Sequence, residues 1–104
     1  MTHPSKTKGN GFERECVKKA IDFGFESKRA WGSNGISLGY CPEVDMIIGK
    51  LTAQCKRRKE IAEYIKPPAG VDIVLLREDH GAPYVVMPYE KFLQLLKQAQ
   101  EGVV

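Results

Sequence analysis

The stretch that decides the fold is Glu43-Val44-Asp45-Met46-Ile47-Ile48-Gly49-Lys50-Leu51-Thr52-Ala53-Gln54-Cys55-Lys56. Val44 to Ile48 is apolar and β-branched apart from Asp45, Gly49-Lys50 is a tight-turn pair, and Leu51 to Arg57 reads as a second strand. Two strands joined this closely form an antiparallel hairpin. Alternation puts Asp45 and Ile47 on one face, and Val44, Met46 and Ile48 on the other. In the partner strand Gln54 and Lys56 share a face and Cys55 points the opposite way. With Asp45 opposite Gln54, an acid, an amide oxygen and an ammonium converge. Such polar groups are costly to bury unless paired or bound to a metal. A Mg²⁺ site and a plain Asp45–Lys56 salt bridge serving the fold are therefore the two readings.

Working outward, a helix is expected from Asn10, a good N-cap, to Gly24, a good C′ residue. Phe12, Cys16, Val17, Ala20, Ile21 and Phe23 recur at helical spacing. Glu13 lies on that stripe, so a carboxylate heads the face that packs, whereas Glu15 and Lys19 form an ordinary surface pair. Met1 to Gly9 reads as a flexible basic arm. Phe25 to Trp31 is a strand, and Gly32 to Tyr40 is a loop whose three glycines and two serines deny it regular structure. Beyond the hairpin, Lys59 to Lys66 is a short helix closed by Pro67-Pro68. Val71 to Arg77 is a core strand, Asp79-His80-Gly81 a turn, and Tyr84 to Met87 a returning strand. A last helix from Pro88-Tyr89-Glu90 carries Phe92, Leu93, Leu95, Leu96 and Ala99 as one apolar stripe. Its stripe serves either the core or a dimer interface. The order helix, three strands, short helix, two strands, helix is that of a mixed α/β protein.

The 104 residues fit one domain, and no apolar run approaches the ~20 residues that cross a bilayer. With no hydrophobic signal region at the N-terminus, an intracellular, cytoplasmic address is expected. Cys16, Cys41 and Cys55 have wide spacings and no CxxC, so reduced thiols are expected rather than disulfides or a zinc cage. No GxxxxGK[ST] or GxGxxG occurs, which argues against a nucleotide cofactor. Net charge is only +3, but residues 1–66 hold 13 Lys and Arg against 8 Asp and Glu, and residues 67–104 hold 3 against 5. The basic part includes Lys56-Arg57-Arg58-Lys59, a run that either faces phosphate or is simply solvated. His3 and His80 are read as exposed. Trp31 is expected to pack, with stacking on an unpaired base as the alternative.

A helix Glu, then a hairpin Asp, then x-x-Lys on the next strand resembles the PD-(D/E)xK nuclease core, and most of all archaeal-type Holliday junction resolvases and their short phage relatives. The likeness covers roughly residues 6–97. It rests on Lys8-Gly9 before Glu13-Arg14-Glu15, on Arg29 before Gly32-Ser33, on Glu43-Val44-Asp45, on Gln54-Cys55-Lys56, and on the terminal YVVMPYEKFLQLLK. The resemblance implies a restriction-endonuclease-like core in a single domain, with a mixed sheet of about five strands flanked by helices. It implies a homodimer that resolves four-way DNA junctions by paired nicks, using Mg²⁺ (or Mn²⁺), with no membrane partner. A catalytically silent junction-binding module and a general PD-(D/E)xK nickase or restriction-type endonuclease are the alternatives.

Carried onto this chain, the resemblance makes Glu13, Asp45, Gln54 and Lys56 the catalytic set, with Glu13, Asp45 and Gln54 on the metal. Lys56 contacts the scissile phosphate or the attacking water. Lys8, Arg14, Arg29, Ser33, Arg57 and Arg58 contact DNA, Ser33 from the active-site loop. The chain departs from the family at Gln54, where the pattern has an acid. An amide oxygen can ligate Mg²⁺ but lacks the charge that favours it. Three explanations stay open: Glu43 or Glu60 supplies the charge, the position tolerates glutamine at lower affinity, or Gln54 is an inactivating Glu→Gln change.

Overall fold

A computed structural model describes residues 4–102. Its packing divides the chain into two compact units, Met1–Arg57 and Arg58–Val104. The first holds α1 (Pro4–Asp22), β1 (Ser27–Arg29), β2 (Met46–Ile48) and β3 (Leu51–Ala53); the second holds β4 (Val74–Leu76), β5 (Tyr84–Val86) and α2 (Tyr89–Gln100). The protein is a mixed α/β chain of two α-helices and five strands. The strands do not join into one mixed sheet: β1-β2-β3 and β4-β5 are two separate sheets, each antiparallel. Residues 54–73 carry Pro67-Pro68 and only one 3₁₀ turn, Glu63–Ile65. The helix expected over Lys59–Lys66 shrinks to that turn, whose i,i+3 pair Lys66–Glu63 closes at 2.8 Å.

Helix α1 starts at Pro4, so within the described residues the segment expected as a flexible arm is helical; residues 1–3 lie outside them. Proline suits a first turn, because its missing N–H has no helical partner there. Gly24 ends the helix as its spacing foretold: with φ +94°, it lets Phe25 N–H reach the Ala20 carbonyl at 3.0 Å and its own N–H reach Ile21 at 2.9 Å. The buried stripe runs through Glu13, Cys16 and Ala20, while Ile21 is exposed. It packs on β1 and β2, whose Met46 and Ile48, with Phe25, Ala30 and Val44, complete the core of this unit.

The hairpin pairs Met46 with Ala53, Ile47 with Thr52 and Ile48 with Leu51, turning at Gly49-Lys50 with Gly49 at φ +57°. Between β1 and β2 the chain makes two 3₁₀ turns, Trp31–Ser33 and Gly35–Leu38. Gly35 is buried so tightly that a Cβ there would meet the Cys41 carbonyl and lie 2.7 Å from Val44 Cβ.

In the second unit Leu93 of α2 is fully buried, with Phe92 and Leu96 half-buried beside it, while Leu95 and Ala99 are exposed. Val71–Arg77, read as a core strand, forms only the three residues of β4, and none of them is buried. A two-stranded ribbon has two faces and little beneath them: Leu75, paired with Val85, is 70% exposed, as is Tyr84. His80 makes its turn in the left-handed region, φ +61°.

Candidate functional site

Glu13 is the one buried charged or polar side chain among the described residues, only 3% exposed on the packed face of α1. Its Oε2 lies 3.8 Å from Arg29 Nη2, an ion pair between helix and strand β1. Arg29 follows from the register: it pairs with Met46, whose side chain faces α1, so it shares that face. The side chain expected to contact DNA is three-quarters buried and lies against this carboxylate. Its Nε is buried and makes no hydrogen bond, so Glu13 does not satisfy the whole fork.

Asp45 sits one residue before β2. Its carbonyl accepts from Ala30 N–H at 2.8 Å, continuing the β1–β2 ladder. On the other side the ladder slips. Asp45 N–H donates to the Ala53 carbonyl at 2.8 Å, and the Asp45–Gln54 rung does not form. Instead Asp45 Oδ2 accepts the N–H of Cys55 at 2.7 Å. The carboxylate thus stands in for a strand carbonyl, and β3 stops at Ala53 rather than running to Arg57.

Cys55 follows β3, with its N–H on the Asp45 carboxylate. It is half-buried and its thiol donates toward Cys16 on α1. Burial first, then Cys16 and the carboxylates of Asp45 and Glu13, push the Cys55 thiol up to about 12; burial raises Cys16 as well. The sequence reads both cysteines as reduced thiols. The signal that placed them here was the stripe phase for Cys16 and the strand alternation for Cys55.

Gln54 and Lys56 lie past the end of β3 and are exposed. Among the described residues no salt bridge joins Asp45 to Lys56, so the plain structural pair expected from alternation does not form; Lys56 projects into solvent. Glu43 and Arg14 are exposed too, as are Arg57 in the first unit and Arg58 in the second. Glu60 belongs to the second unit and is exposed. The side chains of Lys8, in α1, and Ser33, in the first 3₁₀ turn, lie outside what is described. Trp31, expected to pack, is 84% exposed. It opens the first 3₁₀ turn, with Ala30 between it and β1.

A hard divalent cation takes oxygen ligands and is often held by one or two carboxylates completed by water and phosphate. Glu13 and Asp45, on neighbouring elements, are of that chemistry. Among the described residues no three His, Cys, Asp or Glu side chains are grouped to hold a metal by themselves. No described helix is long and apolar enough to cross a membrane. Comparison with protein-family models, with curated proteins and with solved structures finds no match to this chain.

Proposed function

We propose that this chain is a divalent-metal-dependent DNA endonuclease that nicks four-way junctions as a homodimer. The observation that carries the reading is a pair of acids on neighbouring elements, Glu13 buried on α1, which packs on β2, and Asp45 one residue before β2. Glu13 and Asp45 would hold Mg²⁺, with the Gln54 amide oxygen as the weaker third donor. Bound there, the metal supplies charge neutralisation and an acidified water. The chain's own groups set the stage. Arg29 steadies the Glu13 carboxylate, and Cys55 N–H orients that of Asp45. Lys56 is a solvent-facing cation two residues beyond Gln54, suited to a phosphate oxygen. A cytoplasmic setting goes with this reading, and a two-fold dimer gives a junction's two symmetric strands one site each.

The deciding experiment incubates the chain and its Gln54→Glu variant with a labelled four-way junction in Mg²⁺ or Mn²⁺. Metal-dependent nicks are expected, faster in the variant. No cutting by either protein overturns the nuclease reading, and equal cutting of linear duplex leaves a general nickase.

A second reading is a silent junction-binding module. It is favoured by the commitment of both acids, Glu13 to Arg29 and Asp45 to a backbone N–H, together with neutral Gln54. Its expectation is salt-dependent junction binding with no cleavage in either protein.

A further inference from the structure

The chain's single tryptophan stands on the surface of a braced turn. Trp31 N–H donates to Ser37 Oγ at 3.0 Å, and Ser37 Oγ donates on to the Asn34 carbonyl at 3.2 Å. Asn34 N–H returns to the Trp31 carbonyl at 3.2 Å, and Asn34 Oδ1 accepts Ile36 N–H at 3.0 Å. Gly35 presses against Val44, and Ala30 is bonded to the Asp45 carbonyl, so both ends of the turn are tied to the strand that bears the candidate acid. The ring and exposed Ile36 wall an open recess of ≈ 350 Å³, floored by Gly32, Asn34 and Ser37. A large apolar ring left in water is unusual for a residue type that dominates cores. Here it is held in place without being buried.

Charge decides among occupants. Residues 1–57 hold 10 Lys and Arg against 6 Asp and Glu. A flat aromatic face on a unit of net positive charge fits a polyanion that carries flat rings. We infer that Trp31 is a stacking platform for an unpaired base of single-stranded or branched nucleic acid, with Ile36 as the second wall. The inference deepens the proposed function, and rests on it for the class of ligand. Every base offers a π-face, so the platform selects for unpaired strands and not for sequence.

Because Trp31 is the sole tryptophan, its fluorescence reports the recess directly. The test titrates the full chain with oligo(dT), with a duplex of equal length and with a four-way junction, following tryptophan emission and, separately, the anisotropy of labelled DNA without added metal. Emission should be quenched by oligo(dT) and little changed by duplex. Trp31→Ala should weaken oligo(dT) binding roughly tenfold, and Trp31→Phe, which still stacks, should keep most of it. Duplex affinity and far-UV circular dichroism should stay unchanged in both variants.

Anisotropy showing oligo(dT) bound with emission unchanged, or with undiminished affinity in Trp31→Ala, overturns the platform while leaving a DNA-binding function standing. Absence of binding to all three DNAs overturns the proposed function itself, and the platform with it. Self-association that is lost in Trp31→Ala, with emission blind to every DNA, assigns the recess to a second copy and overturns the inference.

Discussion

A buried carboxylate on a helix stripe is the residue-scale fact from which the site grows. Glu13 could sit among Cys16, Ala20 and Met46 because Arg29 arrives on the same face, offsetting a charge that would otherwise be costly to desolvate. A double-mutant cycle with Glu13→Gln and Arg29→Met should give a coupling of about 1 kcal/mol, read by urea unfolding. Additive losses would show that the 3.8 Å pair contributes nothing. The cysteines make a second residue-scale prediction. Alkylation requires thiolate, and with Cys55 pushed up to about 12 and Cys16 also raised, iodoacetamide at pH 8 should label exposed Cys41 first. Mass spectrometry of partly labelled protein decides it. The sign of the pH effect follows from the same shift. Stability contributed by protonated Cys55 is fully present below its ordinary value of 9.0 and is lost as pH rises toward about 12. Cys55→Ala should therefore flatten the fall in stability between pH 9 and pH 11 in denaturant titrations.

At the scale of elements, Asp45 ends a strand as well as furnishing an acid. The slip that gives its N–H to Ala53 and its carboxylate to Cys55 stops β3 four residues short of Arg57, where its sequence leads. Removing that acceptor leaves a part-buried N–H unpaired, which costs about 1–3 kcal/mol. Asp45→Ala should lose stability in that range and speed amide exchange at Cys55, whereas Asp45→Asn, which keeps an oxygen, should lose less. Equal exchange in both variants would remove the carboxylate's structural role. The Trp31–Leu38 turns depend on Gly35 in a different way. A methyl there overlaps the Cys41 carbonyl and Val44, so Gly35→Ala should destabilise by about 1–3 kcal/mol and alter tryptophan emission.

For the whole molecule, the two units differ in how apolar surface is used. Among the described residues, all the buried apolar ones apart from Leu93 belong to the first unit. Charge divides likewise: residues 1–57 carry the basic excess and also both buried-site acids. A divalent ion held by Glu13 and Asp45 binds only the folded chain, so Mg²⁺ should raise the melting temperature by mass action. The rise should vanish in Asp45→Asn and grow in Gln54→Glu, as measured by differential scanning fluorimetry at constant ionic strength. The same shift in all three proteins would mean that the ion binds elsewhere.

What the sequence determined by itself was local: the Gly24 stop, the hairpin through Gly49-Lys50, the turn at His80, the order of elements, and the burial of Glu13 by its place on the stripe. Each follows from backbone preference or from a period of 3.6 or 2 residues, which neighbours along the chain specify. Tertiary structure decided the rest. The Arg29–Glu13 pair depends on which β1 residue lies across from Met46. The early end of β3 depends on a side chain competing with a backbone carbonyl. The exposure of Trp31 depends on how a hydrogen-bonded turn is seated on Val44. None of these is written in a single segment, because each is a contest between groups that only folding brings within a few ångströms of one another.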